Sequence, residues 1–171
     1  RAAVDLEELG PIALNVDCDI LNADGGTRCA SITAANLALR LGVRRLIAAG
    51  ICLPQNMRPT EEQRRSGWSA PVLSEEDKKA HEMRVMPHDV AAISVGLIDG
   101  KSYLDLDYNL DSNADVDMNV VKVSDGSFVE VQGTGEEATY QREELDALLD
   151  MADVGFSSLF EMQKSILDGQ E

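Results

Sequence analysis

The sequence predicts an α+β fold in which helices pack against one sheet. Three observations carry this: strict apolar-polar alternation over residues 12–20, two apolar runs that fold back at Asp-Gly and Ser-Asp-Gly turns, and a helical apolar stripe near the C-terminus. In residues 12–20, Ile12, Leu14, Val16, Cys18 and Ile20 share one face while Asn15, Asp17 and Asp19 share the other, which predicts a half-buried strand. A glycine pair follows. Residues 28–41 are then rich in small side chains, with Ile32, Leu37, Leu39 and Leu41 among them, and predict a helix packed closely on a sheet, with Gly42 as its C-cap. Residues 54–88 hold four of the five prolines and the single Trp68, and their hydrophobic periodicity fades. They predict an exposed loop with a short helix near 75–84, and a loop this long in a compact domain is either functional or disordered.

Two hairpins come next. Val90–Ile98 is an apolar strand, Asp99-Gly100 is a tight-turn signal, and Ser102–Tyr108 returns with Leu104 and Leu106 opposed to Asp105 and Asp107. The second pair is Met118–Val123 and Phe128–Gln132 around Ser124-Asp125-Gly126, and Gly133-Thr134-Gly135 is expected to break the last strand. From about Gln141 to Leu167 the spacing turns helical. Leu145, Leu148, Leu149, Ala152, Phe156, Leu159, Gln163 and Ile166 form one stripe, and Glu143 and Glu144 suit the first turn of a helix.

Composition narrows the function classes. The chain has 171 residues and 44% hydrophobic content, ordinary for a globular protein, with no apolar run of membrane-spanning length. Its net charge of −16 repels nucleic acid, so any RNA-contacting basic surface must come from elsewhere. Cys18, Cys29 and Cys52 are an odd set without CxxC spacing and are read as reduced thiols in a reducing compartment. His81 and His88 are too scattered for a zinc site and are read as surface or loop histidines.

The most informative segment is Asp24-Gly-Gly-Thr-Arg-Cys-Ala-Ser31. A glycine pair ahead of a helix leaves backbone N–H groups free to face an anion; Thr27 adds a hydroxyl and Arg28 a guanidinium, at the positive end of the helix dipole. This is the chemistry of a phosphate site. A second constellation is acidic, with Asp105, Asp107, Asp111, Asp115 and Asp117 all within residues 105–117. Asp105, Asp107 and Asn109 match the first ligand positions of a calcium loop, but Leu110 occupies its glycine position and Val116 its bidentate glutamate position. Two readings remain beside a merely solvated turn. Asp111 and Asp117 hold a metal such as Mg²⁺, or one of them stays protonated beside its neighbour and serves as an acid.

Several stretches, in order, resemble the ribonuclease PH family: Arg1-Ala-Ala-Val-Asp-Leu6, Val16–Ile20, Ala23–Arg28 with Ala30–Thr33, Ala92–Gly96, Leu104–Tyr108, Asp111–Ala114, Asp117–Val120 and Phe128–Thr134. The resemblance covers nearly the whole chain outside 54–88. It implies a sheet of the ribosomal protein S5 domain 2-like, RNase PH-like type, with helices packed on it and incomplete at the N-terminus. It implies a domain layout of 1–53 as the C-terminal portion of the family's core domain, 54–88 as an inserted loop longer than the family's connection, and 89–171 as its C-terminal domain. It further implies a phosphate-dependent 3′→5′ exoribonuclease that trims tRNA precursors and releases nucleoside diphosphates. Gly26, Thr27 and Arg28 inherit the phosphate-binding role. Asp111 and Asp117, six apart, become the catalytic pair with Mg²⁺, and inorganic phosphate is the co-substrate.

The expected partners are RNA and further copies in a hexameric ring, or a complementing N-terminal chain, with no membrane. The family's N-terminal part, with further strands and another phosphate-contacting arginine, is expected from outside this chain, and Arg1 does not take that arginine's role. A monomer of this chain is expected to be unstable through an open sheet edge and exposed apolar surface. The alternative is a catalytically inactive structural subunit of a larger RNA–protein or exosome-like assembly. The expected compartment is the cytoplasm, with mitochondrion or plastid as alternatives.

Overall fold

The computed structural model describes residues 2–136 and 138–169. Arg1, which opens the first matching stretch, lies outside them. The chain divides into two units, one of residues up to Val16 with Ala38–His88, the other of Asp17–Leu37 with Asp89 onward.

The second unit carries the sheet. β1 (Val90–Ile98), β2 (Lys101–Leu104), β3 (Val116–Val123) and β4 (Phe128–Gly135) are antiparallel in the order β2-β1-β3-β4. Asp99 and Gly100 take positive φ (50° and 71°), the backbone of a two-residue hairpin turn whose twist matches the strands. β2 ends earlier than the sequence predicts. Asp105 lies at φ 55°, and Asp107 accepts from the Leu110 N–H as the N-cap of α5 (Tyr108–Asp111). Asp105 and Asp107 therefore do not share a strand face. The expected break at Gly133-Thr134-Gly135 is also absent, because all three pair with β3. Gly133 instead admits the Met118 side chain, which an added Cβ would meet at 2.7 Å.

One sheet face is covered by α6 (Arg142–Asp168). Ile93, Val95, Leu97, Val116, Met118 and Val120 pack against Leu148, Ala152 and Phe156. Each fully buried large side chain contributes roughly 1.5–3 kcal/mol of burial. At the C-terminal end of the stripe the structure departs from the expectation: Leu167 is buried, while Ile166 is exposed. Gln163 is buried, and its amide donates to the carbonyls of Thr33 and Val90.

α2 (Thr27–Ala48) is longer than predicted. It passes through Gly42, which has open space where a Cβ would stand, and stops at Gly50 (φ 68°). There the Gly50 and Ile51 N–H groups donate back to the Ile47 and Leu46 carbonyls, the paired bonds of a Schellman cap. The strand expected at 12–20 does not form; these residues have no ladder partner among the described residues, and Val16, Ile20 and Leu21 are exposed. Alternation marks a strand that could be half-buried, but a strand exists only when another pairs with it.

The first unit holds α1 (Leu6–Leu9), the later part of α2, a 3₁₀ turn (Gln55–Met57), α3 (Glu61–Arg65) and α4 (Glu75–Val85). Residues 54–88 are thus not a structureless loop. Leu73, Val85 and Met86 join Leu9, Val43, Ile47, Cys52 and Leu53 in a core, with Trp68 against it. Arg40 and Arg44 of α2 both reach the Glu82 carboxylate of α4, at 3.1 and 2.9 Å. His81 is not a surface histidine: it is fully buried, with its Nε2 3.5 Å from Cys52 Sγ and its Nδ1 3.7 Å from Glu8.

Candidate functional site

The site is built where the start of α2 meets the sheet face opposite α6. The glycine turn docks on the segment that leads into α5. The Asp24 carboxylate accepts from its neighbour Gly25 N–H at 3.0 Å and from the Tyr108 N–H at 2.6 Å. Gly25 lies so close to this segment that an added Cβ would stand 1.9 Å from the Leu106 carbonyl oxygen. Gly26 takes φ 69° and accepts the first helical bond, from Ala30. No acidic residue occupies the first turn of α2. The first N–H groups of a helix have no intrahelical acceptor and carry the positive end of its dipole.

Ladder pairing sets the sheet side of the site. Asp117 stands opposite Gly96 and Thr134, and Asn119 opposite Ser94 and Gln132. Paired residues share a face. Cys29 joins helix to sheet by donating to Asn119 Oδ1 at 2.8 Å. Ser94 holds the turn segment, its carbonyl accepting from Asp105 N–H and its hydroxyl from Leu106 N–H.

The electrostatics show which groups meet. Burial pushes the Cys29 thiol up to about 11, opposed by the nearby Arg28 charge and reinforced by Asp117, Asp105 and Glu130. Cys29, next to Arg28, bonds Asn119, two residues from Asp117 on the same face of β3, so the phosphate-type turn and Asp117 lie on one side of the sheet. Asp117 is held above the ordinary carboxylate range, first by burial, then by Asp111 and Glu136, against one backbone N–H bond from Met118. Asp111, the last residue of α5, is thus an electrostatic neighbour of Asp117 across the chain bend. Among the described residues neither carboxylate has a basic partner. Nor do the described residues contain a cluster of three or more His, Cys, Asp or Glu able to hold a metal. A pair of mutually repelling carboxylates fits a hydrated Mg²⁺, which keeps several waters, better than an ion caged wholly by protein.

Thr27 opens α2, and its carbonyl accepts from the Ser31 hydroxyl. Arg28 is not bare. Its Nη2 donates to both oxygens of Glu130 on β4, at 2.8 and 3.0 Å. The sequence reading missed Glu130, Asn119, Ser94 and Asp24. Each lies in a stretch that resembles the family, but only Asp24 also stood out by its chemistry, as the acid that opens the glycine turn.

Residues 88–155 match the 3′ exoribonuclease family, domain 2. Nearly the whole chain aligns with sequences named ribonuclease PH. Identity is 43% with that of Synechococcus sp. (strain CC9605), over 96% of this chain and 55% of the relative. It is 45% with that of Corynebacterium diphtheriae, over 98% of this chain and 57% of the relative, and 44% with that of Rhodopirellula baltica, over 98% and 58%. The chain is similar to ribonuclease PH over nearly its whole length. It spans just over half the length of these curated relatives. Among solved structures, rice (Oryza sativa) Rrp46 superposes with a TM-score of 0.55 over 86% of this chain and 51% of that one, at 12% identity, a likeness of fold alone. No helix among the described residues is long and apolar enough to cross a membrane.

Proposed function

We propose that this chain supplies the phosphate-binding turn and the catalytic carboxylates of a phosphorolytic 3′→5′ exoribonuclease that trims tRNA precursor 3′ ends. The observation that carries the reading is the bond from Cys29, the neighbour of Arg28, to Asn119, which shares a sheet face with Asp117. A cation at the start of α2 and the partly buried Asp117 lie on one side of the sheet, and Asp111 on α5 is an electrostatic neighbour of Asp117.

In this reading Gly26, Thr27 and Arg28 hold inorganic phosphate. One phosphate oxygen attacks the terminal phosphodiester in line, and the bond from that phosphorus to the preceding 3′-oxygen breaks. The released nucleotide carries the new phosphate as a nucleoside diphosphate, and the shortened RNA keeps a 3′-hydroxyl after gaining a proton. The chain's contribution is to position the anion and offset its charge, rather than to form a covalent intermediate. The burial and repulsion that raise Asp117 are relieved by a proton, which then passes to the leaving 3′-oxygen, or by a cation shared with Asp111. Bound Mg²⁺ would neutralise charge on the reacting phosphates. A basic surface for RNA, a second phosphate-contacting arginine and strands to pair with residues 12–20 belong to the N-terminal part of the whole protein. Residues 1–53 then complete a core domain, 54–88 form an insertion, and 89–171 form the C-terminal domain. Assembly is a ring of like copies, a hexamer, in the cytoplasm.

The test incubates the full-length gene product with a 3′-extended tRNA, with and without phosphate and Mg²⁺. Phosphate-dependent release of nucleoside diphosphates supports the reading. Stable copurification in a large complex with no phosphorolysis would instead favour an inactive structural subunit.

A further inference from the structure

Arg28 and Glu130 are 102 residues apart in sequence, on α2 and β4. Glu130 sits opposite Val121, on the face of β4 that also carries Gln132 and Thr134 beside Asn119 and Asp117. A single guanidinium nitrogen, Nη2, donates to both carboxylate oxygens, at 2.8 and 3.0 Å. Nε and Nη1 of Arg28 have no acceptor among the described residues.

Stability does not account for this pair. The Arg28 and Glu130 side chains are 46% and 40% exposed, and ion pairs in such settings contribute about 0–1 kcal/mol. What the pair does achieve is restraint. An arginine side chain loses much rotamer freedom when it clamps an anion, and a group already held in place has met that cost before binding.

We propose that Glu130 is the positioning residue for Arg28, fixing the guanidinium by Nη2 so that a free donor, Nε–H or Nη1–H, faces an incoming phosphate. This rests on the phosphorolytic reading above. Phosphate takes a free donor, Nε–H or Nη1–H, while the Glu130 contact persists. The carboxylate's own charge works against the anion, so the pair is useful only if orientation outweighs that repulsion.

The experiment measures nucleoside diphosphate release by the full-length protein over a range of phosphate concentrations for wild type, Glu130→Ala and Glu130→Gln. Glu130→Ala is expected to raise KM for phosphate about tenfold, the scale of a misplaced charge-assisted clamp. The kcat at saturating phosphate and KM for RNA should stay within about twofold of wild type. Glu130→Gln retains the acceptor oxygen and should recover part of the loss. An unchanged KM for phosphate overturns the inference. So does a KM lowered in both variants, which would make Glu130 a mask over Arg28. A joint loss of kcat, KM for RNA and thermal midpoint would make it a fold support and also overturn the inference. Absence of nucleoside diphosphate from wild type overturns the function itself, and the inference with it.

Discussion

Gly25 and Gly26 separate two physical causes that usually travel together. Gly26 is at φ 69° with nothing closer to its added Cβ than Ser94 Oγ at 3.4 Å. An alanine there meets only the left-handed backbone penalty, about 1–2 kcal/mol. Gly25 is not at positive φ, yet its added Cβ would lie 1.9 Å from the Leu106 carbonyl oxygen and 2.9 Å from the Asp107 carbonyl carbon. Both of those atoms are backbone and cannot rotate away. Reaching ordinary contact requires the turn to retreat by about 1.5 Å. That retreat would break the 2.6 Å bond from the Tyr108 N–H to Asp24. Overpacking costs about 1–3 kcal/mol, and the lost charge-assisted bond adds about 1.5–3 kcal/mol. Gly25→Ala should therefore cost about 2.5–6 kcal/mol and Gly26→Ala about 1–2 kcal/mol. Urea unfolding, followed by circular dichroism, reads both as midpoint shifts at unchanged slope. If Gly26→Ala proves as damaging as Gly25→Ala, the turn is not docked on the segment before α5, and the geometry of the site is wrong.

Three further outcomes follow from other parts of the molecule. Burial, then Arg84, hold His81 below its ordinary range. The unfolded chain then binds more protons than the folded one below about pH 6.5, so stability is full above that pH and falls as acid is added; thermal midpoints from pH 8 to 5 should drop, and His81→Asn should flatten that slope. In a native thiol titration only exposed Cys18 should react quickly, because burial raises both Cys29 and Cys52; unfolding in urea should release the other two, and three fast thiols in the native protein would contradict the packing. Leu148→Ala, at a fully buried position under the sheet, should cost about 2–5 kcal/mol in chemical unfolding, with a loss under 1 kcal/mol arguing against the α6 packing.

The parts of the fold that were legible in the sequence are those coded locally. Asp99-Gly100 and Ser124-Asp125-Gly126 fix the hairpins, and the stripe from Leu145 to Gln163 fixes α6, because turn chemistry and period need no distant partner. The strand expected at 12–20 fails for the opposite reason, since its pattern is correct but its existence depends on a neighbour. Gly42 misled because a glycine facing open space can sit inside a helix at about 1 kcal/mol. Residues 54–88 misled because their core contributions, Leu73, Val85 and Met86, are spaced by chain path rather than by period. At the site, Gly26, Thr27 and Arg28 were legible from turn chemistry, and Asp111 and Asp117 stood out as part of the acidic run. The pairing of Glu130 with Arg28 was not legible, because a partner 102 residues away leaves no periodic trace.

The central claim is that Arg28 and the Asp111–Asp117 pair serve one reaction in which phosphate is the attacking group. Its most direct test follows ³²P from labelled inorganic phosphate during incubation of a 3′-extended tRNA with the full-length protein, its Arg28→Ala variant and its Asp117→Asn variant. The account predicts label in the β position of released nucleoside diphosphates with wild type, and a loss of at least 10²-fold in each variant. Unlabelled nucleoside monophosphates as the product, or undiminished labelling in either variant, would contradict it.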